Sequence, residues 1–174
     1  TEAARGHEVV AVGGNSLGWY TALCLGGALG FKDAFRLVQR MSLLQEELAE
    51  GGQVLYPRMN EDWSPSAELA AAAAAALASS GGEALPSIDL GGYVVLAGSK
   101  KGVSHLLSTL PQVRIGSVTY PLRLAQHGPY HTHLARSVSD AASREFADLP
   151  FRRPEVTLID GRGRRHSPWS TDVA

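Results

Sequence analysis

A serine stands at the centre of the pentapeptide Gly14-Asn15-Ser16-Leu17-Gly18, which matches the G-x-S-x-G pattern of a nucleophile elbow. In such an elbow, a strained turn joins a strand to a helix and projects the serine hydroxyl. Gly14 and Gly18 are small enough to let the strand and the helix approach closely. The helix N-terminus offers free N–H groups to an oxyanion, and the expected donor is the backbone N–H of Leu17. The pattern therefore predicts a nucleophilic Ser16, with a plain strand-to-helix turn as the alternative.

A serine hydroxyl is a poor nucleophile at neutral pH, so it needs a general base. Three of the six histidines, His127, His131 and His133, fall in one predicted loop. Either one of them serves Ser16 as its base, or the H-x3-H-x-H spacing holds a metal ion. The loop contains no carboxylate and a metal site leaves Ser16 unexplained, which favours the base. The remaining histidines are interpreted as structural or solvated: His7, His105 and His166.

Length, charge and cysteine content narrow the class of protein. A chain of 174 residues fits one ordinary domain with room for an insertion. The formal net charge of -1 argues against a general nucleic-acid binder. The single cysteine, Cys24, excludes an internal disulfide framework and suits a reducing cytoplasm. Because no apolar run reaches the roughly 18 residues that a membrane span needs, no membrane partner is expected.

The elements predicted around Ser16 and the histidine loop alternate between strand and helix. A short apolar run predicts a buried strand over 7–13, and Ser16 opens a helix that extends to residue 28. A second helix over 32–49 carries one apolar stripe, which predicts packing on a core. The same frame resumes later in the chain with a loop over 125–131, a helix over 132–148 and a strand over 155–160.

The residues between these elements predict an inserted subdomain. Strand and helix patterns follow one another in the order β-α-β-β-α-β, which is the ferredoxin-like arrangement. Ser64-Pro65 and Ser99 are predicted to cap its helices, Gly91-Gly92 to turn its hairpin, and 112–124 to form its last strand. The predicted division is an α/β core over 1–52 and 125–174, and a ferredoxin-like insert over 53–124.

Several motifs, taken in order, resemble one known family. They are "GNSLGWYTAL" with Ser16, "FKDAFRLVQRMSLLQEE", "IDLGGYVVLAG", and "GPYHTHL" with His131. This series resembles the malonyl-CoA:acyl-carrier-protein transacylase family, which includes the acyltransferase domains of fatty acid and polyketide synthases. The resemblance implies a parallel-sheet, α/β-hydrolase-like core that holds the ferredoxin-like insert. Family members are considerably longer, so the chain is interpreted as a truncated member.

The resemblance also implies a reaction and its partners. His131 takes the proton of Ser16, which attacks an acyl-CoA thioester, and the expected acyl donor is malonyl-CoA. The acyl group then passes to the phosphopantetheine thiol of an acyl carrier protein, with no metal or redox cofactor. Carrier proteins are acidic and CoA carries phosphates, so exposed basic residues are expected to steer both, unless they form only a solvated face. These residues are Lys100, Lys101, Arg152, Arg153, Arg162, Arg164 and Arg165.

Four further residues are expected near the acyl group. Tyr130 resembles the aromatic residue of malonyl-selective members, and should disfavour an α-methyl branch by about 1–3 kcal/mol. Trp19 replaces the usual glutamate of the elbow. Met41 stands where malonyl-specific members carry an arginine, and Arg40 precedes it. One residue turns a helix by about 100°, so Arg40 should point elsewhere. Either Arg40 is redirected, another arginine such as Arg123 substitutes, or the acyl group is uncharged.

Two other functions stay open from the sequence. A serine hydrolase of the α/β class needs an acid between serine and histidine, and the main candidate, Asp89, lies unfavourably in the predicted hairpin. A catalytically impaired acyltransferase-like domain is favoured by Asn15, which replaces the usual histidine, together with Trp19 and Met41.

Overall fold

The structure is a computed structural model and describes residues 6–169. The chain divides into unit 1, made of Thr1–Leu43 and Ala142–Ala174, and unit 2, Leu44–Ala141. Each unit has a hydrophobic cluster of its own. The predicted insert over 53–124 lies within unit 2. Within the described residues, no helix combines the length and apolar character that a membrane crossing requires.

The elements alternate between helices and strands along the chain. The α-helices of residues 6–169 are α1 (Leu17–Leu25), α2 (Phe31–Leu48), α3 (Ala67–Ala78), α4 (Lys100–Thr109) and α5 (Arg136–Glu145). The strands are β1 (Ala11–Gly13), β2 (Gly52–Pro57), β3 (Ala84–Asp89), β4 (Tyr93–Gly98), β5 (Val113–Ile115), β6 (Val118–Tyr120), β7 (Leu122–Arg123), β8 (Thr157–Ile159) and β9 (Arg165–His166).

Unit 1 is built on a mixed sheet in the order β1-β8-β9. Strands β1 and β8 are parallel, with Val12 opposite Leu158, and β9 runs antiparallel to β8. Leu158 is completely buried and belongs to the cluster that also contains Leu23 of α1 and Leu37 of α2. The strand that precedes Ser16 is therefore fixed to β8 by hydrogen bonds and to the helices through the apolar contacts of β8.

The expected buried strand over 7–13 is shorter and more exposed than predicted. Only Ala11–Gly13 is a strand, and the side chains of Val9 and Val10 are 49% and 74% exposed. Within residues 6–169, β1 lies at the edge of its sheet and pairs with β8 alone. An edge strand has a neighbouring strand on one side only, and Val9 and Val10 lie before β1, so the apolar residue types over 7–13 do not imply burial.

Unit 2 is built on an antiparallel sheet in the order β3-β4-β2-β7. Alternate residues of a strand point to opposite faces of a sheet. Val54 and Tyr56 of β2, together with Leu96 of β4, pack in one cluster with Val103 and Leu106 of α4. Ala73 and Ala76 of α3 complete this cluster. The helices α3 and α4 therefore cover the face to which Val54 and Tyr56 point.

Two boundaries in unit 2 differ from the sequence predictions. Ser66, and not Ser64, caps α3, because its Oγ accepts the N–H of Leu69, whereas Ser64 Oγ donates to Asp62. Ser99 caps α4 as predicted and accepts the N–H of Gly102 at 3.1 Å. The expected strand over 112–124 is divided into β5, β6 and β7, since Gly116 at φ 57° turns β5 back onto β6.

The helix predicted over 132–148 is also shorter. A 3-10 turn over His133–Ala135 precedes α5, and Thr132 caps this turn by accepting the N–H of Leu134. Strand β9 carries no apolar pattern, and the sequence did not indicate it.

The packing of α4 against β3 leads to a stability prediction. A Cβ on Gly102 would lie 2.0 Å from the carbonyl oxygen of Glu83. This oxygen belongs to the backbone, so no side-chain rotation can relieve the clash. We therefore expect Gly102→Ala to lower the free energy of unfolding by about 3 kcal/mol, as measured by urea denaturation. Ser104→Ala, at an exposed position of the same helix, is the control and should change it by less than about 0.5 kcal/mol. Equal effects of the two substitutions would contradict this packing.

Candidate active site

Ser16 occupies the turn between β1 and α1 in a strained backbone conformation. Its φ and ψ are 53° and -124°, a combination with positive φ that few residues other than glycine adopt. The turn is closed by two hydrogen bonds, from the N–H of Gly18 to the carbonyl of Asn15 and from the N–H of Trp19 to the carbonyl of Ser16. The serine hydroxyl accepts no N-cap hydrogen bond from α1. A strained serine between a strand and a helix is the local geometry of a nucleophile elbow.

Gly14 accounts for the close approach of strand and helix. A Cβ at this residue would lie 2.1 Å from the carbonyl oxygen of Gly18. At Gly18 itself, a Cβ would meet no atom within 4 Å. The sequence predicted a steric role for both glycines, and the described structure requires it only at Gly14.

A buried histidine lies in the same unit as the elbow. His166 is 6% exposed, and its Nε2 is 3.3 Å from Oδ2 of Asp160. Burial raises the pKa of the Asp160 carboxyl. Hydrogen bonds from the N–H groups of Arg164 and Arg162 and from the His166 ring together have a larger, opposite effect, so this pKa lies below its usual value. The ring of Trp19 lies 5.5 Å from that of His166. Trp19, predicted near the acyl group, packs against this histidine and the cluster of unit 1.

The two residues of α2 predicted near the acyl group have different environments. Arg40 forms a bidentate ion pair with Glu145 of α5, at 2.6 Å from Nε to Oε1 and 3.1 Å from Nη2 to Oε2. The hydrogen bond from Arg40 lowers the pKa of the Glu145 carboxyl. Met41 packs against the hydrophobic cluster of unit 1. The guanidinium of Arg40, which precedes the expected arginine position in the sequence, is thus already paired with the carboxylate of Glu145.

His131 lies in unit 2, in a loop that is fixed to the sheet by polar contacts. The residue has a φ of 58°, so its backbone is left-handed. The preceding carbonyl, that of Tyr130, accepts hydrogen bonds from Ser87 Oγ at 2.8 Å and from Gln53 Nε2 at 3.3 Å. His127 Nδ1 is 2.8 Å from Gln53 Oε1. Neither Gln53 nor Ser87 was expected at the site from the sequence, although a glutamine at the start of the apolar strand β2 is a signal that indicates a buried polar contact.

The residues on which the hydrolase and metal-site alternatives depend can also be placed in the structure. Asp89, the acid of the hydrolase hypothesis, has a side chain that is 68% exposed and paired with Arg58. Within residues 6–169, no three histidine, cysteine, aspartate or glutamate side chains are gathered as a metal site requires. Ser16 belongs to unit 1 and His131 to unit 2, and their joint action stays a prediction.

Comparison with known proteins relates the chain to one group of enzymes. No family model matches. The malonyl CoA-acyl carrier protein transacylase of Escherichia coli K12 is 28% identical over 158 residues, which cover 89% of this chain and 48% of that protein. The protein of the same name from Bacillus subtilis is 30% identical over 145 residues, with coverages of 79% and 44%.

Solved structures extend the similarity to the fold. An acyl carrier protein S-malonyltransferase from Vibrio cholerae is 26% identical, with a TM-score of 0.68 over 90% of this chain and 50% of that one. A malonyl-transacylase solved in complex with its type II polyketide synthase acyl-carrier protein is 25% identical, with a TM-score of 0.68 over 90% and 49%. The chain has the α/β fold of these proteins and spans about half the length of the curated relatives it matches. It is therefore related to the malonyl CoA-acyl carrier protein transacylases over about half of their length.

Proposed function

We propose that this chain carries the nucleophile and the base of a malonyl transferase, which moves the malonyl group from CoA to the phosphopantetheine thiol of an acyl carrier protein. The observation that carries the proposal is the positive φ of Ser16 at the turn from β1 to α1, in a chain related to malonyl transacylases. Acyl transfer through a covalent intermediate requires an accessible nucleophile, and a strained turn that leaves its serine exposed to solvent supplies one.

The first half-reaction forms the acyl-enzyme. His131 accepts the proton of Ser16 Oγ as this oxygen attacks the thioester carbon of malonyl-CoA. The N–H of Leu17 stabilises the oxyanion of the tetrahedral intermediate at the N-terminus of α1. When the intermediate collapses, the carbon–sulfur bond breaks, and His131 returns its proton to the departing CoA thiolate. Malonyl-Ser16 remains.

The second half-reaction repeats these steps with a different nucleophile. His131 takes the proton of the phosphopantetheine thiol, and the sulfur attacks the ester carbon of malonyl-Ser16. Collapse breaks the bond to Ser16 Oγ, which recovers the proton from His131. Neither half-reaction needs a metal ion or a redox cofactor.

An uncharged short acyl group is the second candidate, and it is favoured by a specific contact. A malonyl carboxylate buried without a cationic partner is costly. Arg40 is engaged by Glu145, and the neighbouring Met41 is apolar. Tyr130 is expected to limit the width of the acyl pocket in either case.

The choice between acyl groups can be tested by mass spectrometry of the intact chain. We expect incubation with malonyl-CoA to add one malonyl group, and at least about tenfold faster than acetyl-CoA adds one acetyl group. Faster acylation by acetyl-CoA than by malonyl-CoA would show that the transferred acyl group is uncharged and is not malonyl. No adduct with either thioester would overturn the proposed transferase. Thioester loss at the same rate with and without carrier protein would favour a serine hydrolase.

The proposed function also implies the molecules that the chain binds. Acyl-CoA and an acidic acyl carrier protein are the proposed partners, and nucleic acid and membrane are not. Seven exposed basic residues support such anionic partners: Lys100, Lys101, Arg152, Arg153, Arg162, Arg164 and Arg165.

We propose a cytoplasmic location for a chain with the free thiol of Cys24. We also propose a ferredoxin-like arrangement for the insert, supported by the sheet order β3-β4-β2-β7, and an α/β-hydrolase-like core, supported by the parallel pairing of β1 with β8.

A further inference from the structure

A buried polar network lies on the face of the unit 2 sheet that α3 and α4 do not cover. Gln53 is the second residue of β2 and stands opposite Ala97 of β4. Since Val54 points into the helix-covered cluster, Gln53 points to the other face. Its side chain is only 2% exposed. A glutamine is rarely buried to this extent unless its amide is fully hydrogen-bonded.

Each polar atom of the Gln53 amide has a partner, and the partners fix the direction of the amide. Nε2 donates to Ser87 Oγ at 2.8 Å and to the carbonyl of Tyr130 at 3.3 Å. A carbonyl is an acceptor only, so the nitrogen must be the atom that faces Tyr130. Oε1 consequently faces Nδ1 of His127, at 2.8 Å. Because Oε1 can only accept, Nδ1 of His127 must carry a hydrogen.

The same network fixes the peptide bond that leads into His131. The Tyr130 carbonyl accepts one hydrogen bond from Gln53 and a second from Ser87 Oγ, at 2.8 Å. Peptide groups are planar, so a carbonyl held by two hydrogen bonds fixes the plane that extends to the Cα of His131. His131 itself has a φ of 58°, a backbone state that persists only when its surroundings hold it. The hydrogen bonds of Gln53 and Ser87 supply that restraint from β2 and β3.

We propose that Gln53 and Ser87 are positioning residues that set the orientation of the His131 imidazole through the Tyr130 carbonyl, with His127 as a second point of attachment for Gln53. The catalytic meaning of this proposal rests on the proposed function, but the restraint on the loop does not. Gln53 touches no reacting atom of the proposed mechanism. It acts by fixing where the base of the reaction is held.

Gln53→Met tests the proposal, because methionine keeps the length of the side chain and removes all three hydrogen bonds. Ser87→Ala removes the other hydrogen bond to Tyr130 and serves as a second variant if Gln53→Met fails to fold. Gln112→Met is the matched control, since it makes the same change at an exposed glutamine of the same unit.

The first readout is independent of catalysis. Nitrogen-15 NMR of the imidazole rings should show His127 in its Nδ1–H form at neutral pH in the parent. In Gln53→Met this preference should be lost, and hydrogen exchange at the His131 amide should accelerate about tenfold. The Gln112→Met control should match the parent. An Nε2–H form in the parent, or unchanged exchange in both Gln53→Met and Ser87→Ala, would overturn the proposal.

The second readout separates positioning from stability. At a temperature where all variants stay folded, kcat for malonyl transfer should fall about tenfold to hundredfold in Gln53→Met, while KM changes less than about threefold. Unchanged kcat with accelerated exchange would restrict Gln53 to a structural role and contradict the proposal. If the parent transfers no malonyl group, the proposed function fails, and the NMR measurements alone decide whether the restraint on His131 exists.

Discussion

Replacing Ser16 with alanine is expected to lower malonyl transfer at least about a thousandfold, because no other group in the mechanism can carry the acyl group. Alanine removes Oγ and leaves the strained turn otherwise intact. The rate is to be measured as transfer of labelled malonyl from CoA to carrier protein. Ser108→Ala, at an exposed serine of α4, is the control and should leave the rate unchanged. Residual transfer at more than a tenth of the parent rate would show that the nucleophile lies elsewhere.

Glycine at the same position separates strain from chemistry. The φ of 53° and ψ of -124° at Ser16 suit glycine far better than a residue with a Cβ. We therefore expect Ser16→Gly to raise the free energy of unfolding by about 1 kcal/mol while it abolishes transfer. A variant that is inactive but more stable is the signature of a residue held in a costly conformation for its reaction. A less stable Ser16→Gly would contradict strain at this turn.

Replacing His131 with alanine should produce the second largest loss, about a hundredfold to ten-thousandfold in kcat. In the proposed mechanism, His131 is the group that takes the proton from Ser16 and later from the thiol, and the substitution removes it. Imidazole added to the buffer should restore part of the rate in His131→Ala, because it supplies the missing base in solution. Rate measurements with and without imidazole therefore check the role directly.

His133→Ala is the matched control for this prediction. His133 is exposed and lies two residues along the same loop. It should retain most of the parent rate, whereas a metal site shared by the loop histidines would make both variants equally inactive. Equal losses in His131→Ala and His133→Ala would thus count against a general base at His131.

Much of the fold follows from local patterns in the sequence. The apolar stripe of α2 predicts a packed face, and Ala34, Leu37 and Leu44 are buried. The Gly91-Gly92 turn between two apolar runs predicts the hairpin of β3 and β4, which pair antiparallel. These features depend on residues close in the chain, where periodicity and turn preference are strong. The strained turn at Ser16 belongs to the same class, because a short motif specifies it.

Other features depend on partners far along the chain. Arg40 and Glu145 are 105 residues apart, and no local pattern shows that they form a pair. Gln53 and Tyr130 are 77 residues apart, and their contact depends on how a loop lies over a sheet. The exposure of β1 depends on its place at the sheet edge. In each case, the residue types permit several environments, and tertiary packing selects one.

The most direct test of the proposed mechanism is to identify the residue that is acylated in the covalent intermediate. The chain should be mixed with isotope-labelled malonyl-CoA, quenched in acid, digested, and sequenced by tandem mass spectrometry. We predict that the label lies on Ser16 and disappears when the phosphopantetheine-bearing carrier protein is added before the quench. Label on any other residue, or label on Ser16 that the carrier protein never removes, would contradict acyl transfer through this serine.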